Sequence, residues 1–218
     1  MVNVTLTSLS DPLRDLAFSY APADRRAGLT ALFALDAALG QVLRTTREPM
    51  VGQMRLAWWR EALAALDSTP PPGEPVLQAL ADEVLPIGVT GAQLAAMIDG
   101  WEPVLGALDG QAIEQHARWR GGELFVLAGR LLGASGDPLE DAGRAWALDD
   151  LAQHLSDPAL AAIARAQFSA PFDRASRARW SRNGRALGAL LLACTREASG
   201  TAAIGSVFRL GWHRLTGR

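Results

Sequence analysis

A chain of 218 residues with a 49% hydrophobic share, 20% charged residues and a net charge of −2 has room for one large domain or two small ones, with an ample core. The near-neutral balance excludes a strong global field toward nucleic acid, so no nucleic-acid partner is expected. The single cysteine, Cys194, excludes an internal disulfide framework; it sits in the apolar run LGALLLAC and reads as a buried, inert thiol in a reducing compartment. No stretch reaches the roughly 18 consecutive apolar residues expected of a spanning helix. The start, MVNVTLTSLSDPLRD, lacks a basic n-region followed by an apolar core, so no secretory signal is read and the cytoplasm is the expected location. Every basic residue is arginine, a compositional bias like the heavy use of alanine.

In chain order, residues 1–10 are polar and β-branched with no helical period, and read as a flexible leader to a single helical domain over 11–218. Ser10 or Asp11 can cap a short helix with Pro12 in its first turn. A break at Pro22 leads into a helix of roughly 20 residues whose apolar positions are Leu29, Leu32, Phe33, Leu35, Leu39, Val42 and Leu43. Arg25 and Arg26 stand near its N-terminus, the wrong end for the helix dipole. Cations there call for a carboxylate or an anionic ligand, unless they are simply solvated.

The next helix, MVGQMRLAWWREALAAL, carries the pattern around which the chain is organised. Met50, Met54, Ala57, Trp58, Leu63 and Leu66 recur at steps of three and four, with Val51, Leu56 and Trp59 widening the stripe. This face is expected to enter the core of a bundle. The prolines of DSTPPPGEP (67–75) make a stiff loop between helices. A short helix follows over 76–85 and ends at Pro86. Thr90 can cap a helix running toward residue 108, kinked or ended at Pro103. Residues 111–132 read as a long helix broken by Gly121 and Gly122, a pair that lets another helix or a ligand approach. Helices are further expected over 139–155, 159–168, 171–195 and 202–215. No run alternates with period two, and no fixed-period repeat is present. The expected fold is all-α, one multi-helix bundle.

Five segments in order resemble the squalene/phytoene synthase family. FSYAPADRRAGLTALFALDAAL (18–39) resembles its opening, where a turn leads into the helix of the first Asp-rich motif. EPMVGQMRLAWWREAL (48–63) resembles the following helix, in the Trp-Trp-Arg form of a bacterial and mitochondrial branch. MIDGWEPVL (97–105) resembles a mid-chain helix, and RWRGGELFVLAGRLLG (118–133) a glycine-containing helix along the cavity. GRAWALDDLAQHL (143–155) stands where the second Asp-rich motif belongs. The resemblance implies an isoprenoid-synthase-type bundle around a central apolar cavity, with Phe33, Trp58, Gly121, Gly122 and Phe125 as lining candidates. Active members join two prenyl diphosphates using Mg²⁺, which needs several oxygen ligands and draws off the leaving group.

That chemistry needs carboxylates paired at i and i+4 on two facing helices. Asp36 has Gly40 at i+4, Asp149 has Gln153 and Asp150 has His154. Asp150 and His154 could form a metal pair, but histidine is a poor Mg²⁺ ligand, and the two read first as a surface i,i+4 pair. The resemblance therefore implies a member that has lost its metal site, needs no cofactor and works by binding. One mitochondrial branch of the family assists assembly of respiratory complex I, which implies an assembly factor, a scaffold or an isoprenoid or lipid carrier at the inner face of a membrane. Its contact there would run through the arginine-rich region at 174–185 with Arg209, Arg214 and Arg218. The alternative is an active Mg²⁺-dependent prenyl transferase, with Asp36, Asp149 and Asp150 as catalytic carboxylates and Arg25 or Arg26 holding diphosphate. A third reading is a helical interaction domain that shares only the fold.

Overall fold

The computed structural model describes residues 12–46, 48–194 and 203–217, with side chains of the last stretch described from Leu210. The leader, the Ser10 or Asp11 cap, Thr195, Arg218 and the side chain of Arg209 lie outside the described residues. The described residues form helices and turns with no strand. They are α1 (Pro12–Phe18), α2 (Arg26–Thr45), α3 (Pro49–Ala65), α4 (Pro75–Glu83), α5 (Gly91–Ala96), α6 (Gly110–His116), α7 (Glu123–Leu132), α8 (Leu139–His154), α9 (Pro158–Ser176), α10 (Arg185–Ala193) and α11 (Ala203–Thr216). A π-helical turn, Ala117–Gly122, joins α6 to α7 without a break in the chain's helical course.

The second helix is the spine. Leu29, Leu32, Leu35 and Leu39 are fully buried at the expected helical spacing, each worth about 1.5–3 kcal/mol on removal from water. It packs against α4 and α7, while α8 packs against α9 and the π turn. The segment Ala23–Thr45 is long and apolar enough to cross a membrane by length and composition; in the fold its apolar face is core. Thr90 caps α5 in a capping box with Gln93, and Asp157 caps α9. Asp109 and Glu74 cap α6 and α4.

Three helices depart from the expected pattern. In α3 the buried face is Gly52, Leu56, Trp59 and Leu63, whereas Met50, Met54 and Trp58 are exposed. Both faces of α3 are apolar, so periodicity alone could not choose between them. The choice is made by close packing at Gly52, where a Cβ would fall 2.7 Å from Leu105. Arg60 adds to it, donating to Asp99 and Glu102 at 2.7 and 2.8 Å. The helix capped by Thr90 ends at Ala96 and continues as two 3₁₀ turns, Met97–Gly100 and Glu102–Val104. There the backbone of Gly100 lies against that of Arg120, and a Cβ at Gly100 would overlap it. Helix α9 runs through Pro171 to Ser176. Phe168 and Phe172 stack at 4.9 Å on either side of this proline and pack onto the core. That packing offsets the backbone hydrogen bond the proline forfeits.

Candidate functional site

The most heavily buried charges form one group. Arg120, in the π turn, is 5% exposed, and Asp36, on the core face of α2, is also 5% exposed. The guanidinium holds Asp36 through two parallel bonds, Nε to Oδ1 and Nη2 to Oδ2, both 2.8 Å. From its other side Nη1 donates to Oδ2 of Asp150 on α8 at 2.6 Å. Such forked contacts fix position as well as charge. The plane is also covered by aromatic rings, with Cζ lying 4.3 Å from the Trp101 centroid and 4.8 Å from that of Trp146.

His116, one helical turn before Arg120, completes the group. Its Nδ1 lies 2.5 Å from the Gly100 carbonyl oxygen and its Nε2 lies 3.3 Å from Nη1 of Arg120. A carbonyl only accepts and a guanidinium only donates, so the ring is neutral with its proton on Nδ1. Burial, and then the adjacent Arg120 charge, hold the His116 pKa down at about 3. Burial opposes the charge on Arg120, but Asp36 and Asp150 outweigh it and keep the guanidinium protonated. Burial likewise acts to raise the Asp150 pKa; Arg120 and His154 reverse this and hold it below the usual carboxylate value.

Local sequence explains the convergence. The π turn inserts an extra residue per turn, and such insertions re-aim side chains. Gly121 and Gly143 let the π turn and α8 touch backbone to backbone, since a Cβ on either would overlap the other's carbonyl. The glycine pair therefore admits a helix, not a ligand. Gly122 rests against Glu140, which a Cβ would approach at 3.3 Å.

Asp36 and Asp150, one from each helix expected to carry an Asp-rich motif, are thus brought together, but across an arginine. Asp149 points elsewhere, accepting from Gln153 at 2.8 Å and interacting with Cys194. The Cys194 thiol pKa is pushed well up by burial and by the Asp149 and Asp150 charges, consistent with an inert thiol. His154 lies 3.4 Å from Asp150, but Asp150 is not simply half of a surface pair, because its tighter partner is the buried Arg120. Among the described residues, no group of three or more His, Cys, Asp and Glu is arranged to hold a metal ion. The donor set does not fit the Mg²⁺ that the resemblance implies. Both Asp36 oxygens and one Asp150 oxygen already accept from a fixed cation that would repel a second.

The remaining candidates divide. Phe33 and Phe125 are buried and meet Trp146 at 5.6 and 5.8 Å, so their rings fill the interior. Trp58 stands at the surface instead of in the interior; it is 47% exposed and packs edge-on against Trp59. Arg25 pairs with Asp24 at 3.2 Å. Arg26 donates to the carbonyls of Ala21 and Ser19. It stands ten residues from Asp36, about 15 Å along the helix, so neither arginine joins the central group. A cavity of about 250 Å³ opens beside that group, lined by Leu43, Trp101, Val104, Leu108, Leu151 and Leu155, with His116, Arg120, Asp150 and His154 along it.

Sequence reasoning missed Arg120, His116 and Trp101. The available signal was Asp36 itself. It lies among Leu32, Leu35 and Leu39 on the core face, and a buried carboxylate requires a buried cation. A family model described as squalene/phytoene synthase matches residues 10–157. No curated protein and no solved structure matches the chain.

Proposed function

Because this chain belongs to the squalene/phytoene synthase family, we propose that it is a member that retains the family's helical fold and acts by binding, without joining prenyl diphosphates. One observation carries this reading: the Arg120 guanidinium occupies the space between Asp36 and Asp150. In the catalytic arrangement carboxylates from two helices share divalent cations. Here they share a covalently tethered cation that cannot leave with a product or bridge a diphosphate.

Two further features support binding. Met50, Met54 and Trp58 form an exposed stripe along α3, the side-chain types that dominate adaptable protein interfaces. The cavity beside the central group is walled mainly by apolar side chains, and the Trp101 indole N–H is buried there with no hydrogen-bond partner among the described residues. The stripe suits an assembly factor or scaffold and the cavity an isoprenoid or lipid carrier; that the partner would be a membrane-bound respiratory complex rests on the family resemblance alone. Under either reading the expected location is the cytoplasm, peripheral to the inner membrane.

The test is turnover. Purified protein is mixed with farnesyl and geranylgeranyl diphosphate with and without Mg²⁺, following product formation and tryptophan fluorescence. The expected result is no product and no Mg²⁺-dependent binding. Mg²⁺-dependent product that disappears in D36N would establish the transferase reading instead.

A further inference from the structure

A second cavity, of about 530 Å³, shares no residue with the Asp36–Arg120–Asp150 group. Three stretches far apart in sequence build it: the turn before α2, the loop before α10 and the end of α11. Its polar walls are Tyr20, Arg26, Arg182, Asn183, Arg185 and Arg214. Among the described residues no carboxylate lines it. Among the described residues, none of these four arginines forms an ion pair.

The contacts that hold the arginines leave their charge intact. Arg26 donates to the carbonyls of Ala21 and Ser19 at 3.2 and 2.9 Å. Arg185 Nη1 donates to the Arg214 carbonyl at 2.6 Å, and the Arg214 guanidinium lies over the Tyr20 ring at 5.3 Å. Carbonyls and a ring orient a guanidinium without neutralising it. Moreover, Nε of Arg185 is buried with no hydrogen-bond partner among the described residues, a donor that a bound acceptor would satisfy. Four like charges gathered around one concavity repel one another, and an acceptor-rich anion would relieve both the repulsion and the unpaired donor.

We propose that this cavity is a binding site for a phosphate group. Guanidinium forks match phosphate oxygens, and Tyr20 and Asn183 add neutral donors. The phosphate could be presented by a soluble phosphate ester or by an anionic phospholipid. The surroundings favour the lipid: Leu215 lines the cavity at 76% exposure, and Trp212, one turn earlier, is 63% exposed. An exposed tryptophan and leucine beside an arginine cluster suit the boundary between headgroups and acyl chains. This site is independent of whether the chain is catalytic.

Two probes test it: pyrophosphate, titrated calorimetrically without metal, and co-sedimentation with vesicles of phosphatidylglycerol or of phosphatidylcholine. The variants are R182Q and R214Q, both at exposed side chains, with the exposed Arg165 of α9 changed in R165Q as control; circular dichroism checks the fold of each. The expected result is saturable binding of at least one probe, weakened about tenfold or more in R182Q and in R214Q and unchanged in R165Q. Binding of phosphatidylglycerol vesicles that W212S also weakens identifies the lipid source. Pyrophosphate binding alone, insensitive to W212S, identifies a soluble one. No saturable binding of either probe, or equal loss in R165Q, overturns the proposal.

Discussion

Arginine plays opposite parts at the two charged sites of this molecule. At the centre one arginine meets two carboxylates, a neutral histidine and two indoles, and every contact is internal. At the carboxy-terminal cavity four arginines gather; Arg26 and Arg185 meet carbonyls, Arg214 meets a ring, and among the described residues none meets a carboxylate. The first site is closed because its charges answer one another. The second is chemically open because its charges are gathered without being answered. Charge that is buried and paired holds structure together at the first site; charge gathered without a partner carries the phosphate proposal at the second.

The largest effect should come from breaking the closed site on one side. R120M leaves Asp36 buried without its cation and Asp150, half-buried, facing it, and should cost about 3 kcal/mol in urea denaturation. Replacing all three, as D36L/R120M/D150L, should cost less than R120M alone, since no orphaned charge remains. If the triple variant is the worse of the two, the group is held by more than mutual charge.

Acid should act next. The His116 pKa is about 3 in the fold and near 6.5 when unfolded. Between those values the unfolded chain binds a proton that the folded chain refuses. Stability therefore falls as pH falls through that window, by up to about 1.4 kcal/mol per unit. The lowered Asp150 pKa has the same sign but acts only below the ordinary carboxylate range. In H116Q, where the amide can still donate to Gly100 and accept from Arg120, the slope between about pH 6 and 4 should flatten.

A milder way to sharpen the contrast is to move the helices without touching a charge. G143A pushes α8 off the π turn and should cost about 1–3 kcal/mol. In crystals or by NMR the Arg120–Asp150 contact should lengthen before Arg120–Asp36 does, since only the former spans that interface. The smallest effect belongs to the open site. R182Q should change stability by less than about 0.5 kcal/mol, because Arg182 is exposed and forms no ion pair among the described residues. A large loss there would mean that the cavity's arginines are structural after all.

Much of the scaffold was legible before the structure. The helical period of Leu29, Leu32, Leu35 and Leu39 and the Thr90 cap both stand as read. What local pattern could not reveal was partnership across distance. Helix α3 carries apolar residues on two faces, and the one that contains Gly52 is selected by residues far along the chain, Leu105 against Gly52 and Asp99 and Glu102 on Arg60. The gap at i+4 after Asp36 was visible, yet its partner lies 84 residues away on a π turn that no periodicity announces. Gly121 and Gly122 were noticed as a place of close approach. That the approaching element was α8, with Asp150 on it, depended on the tertiary fold.

The central claim is that Arg120 stands where a divalent cation would otherwise bridge Asp36 and Asp150. Its most direct test is a Mn²⁺ titration of the purified protein read by electron paramagnetic resonance, which distinguishes free from bound ion. The account predicts no stoichiometric site in the native chain and no difference between it and D36N or D150N. A saturable one-ion site that both substitutions abolish would contradict it, and would return the two carboxylates to the role of metal ligands.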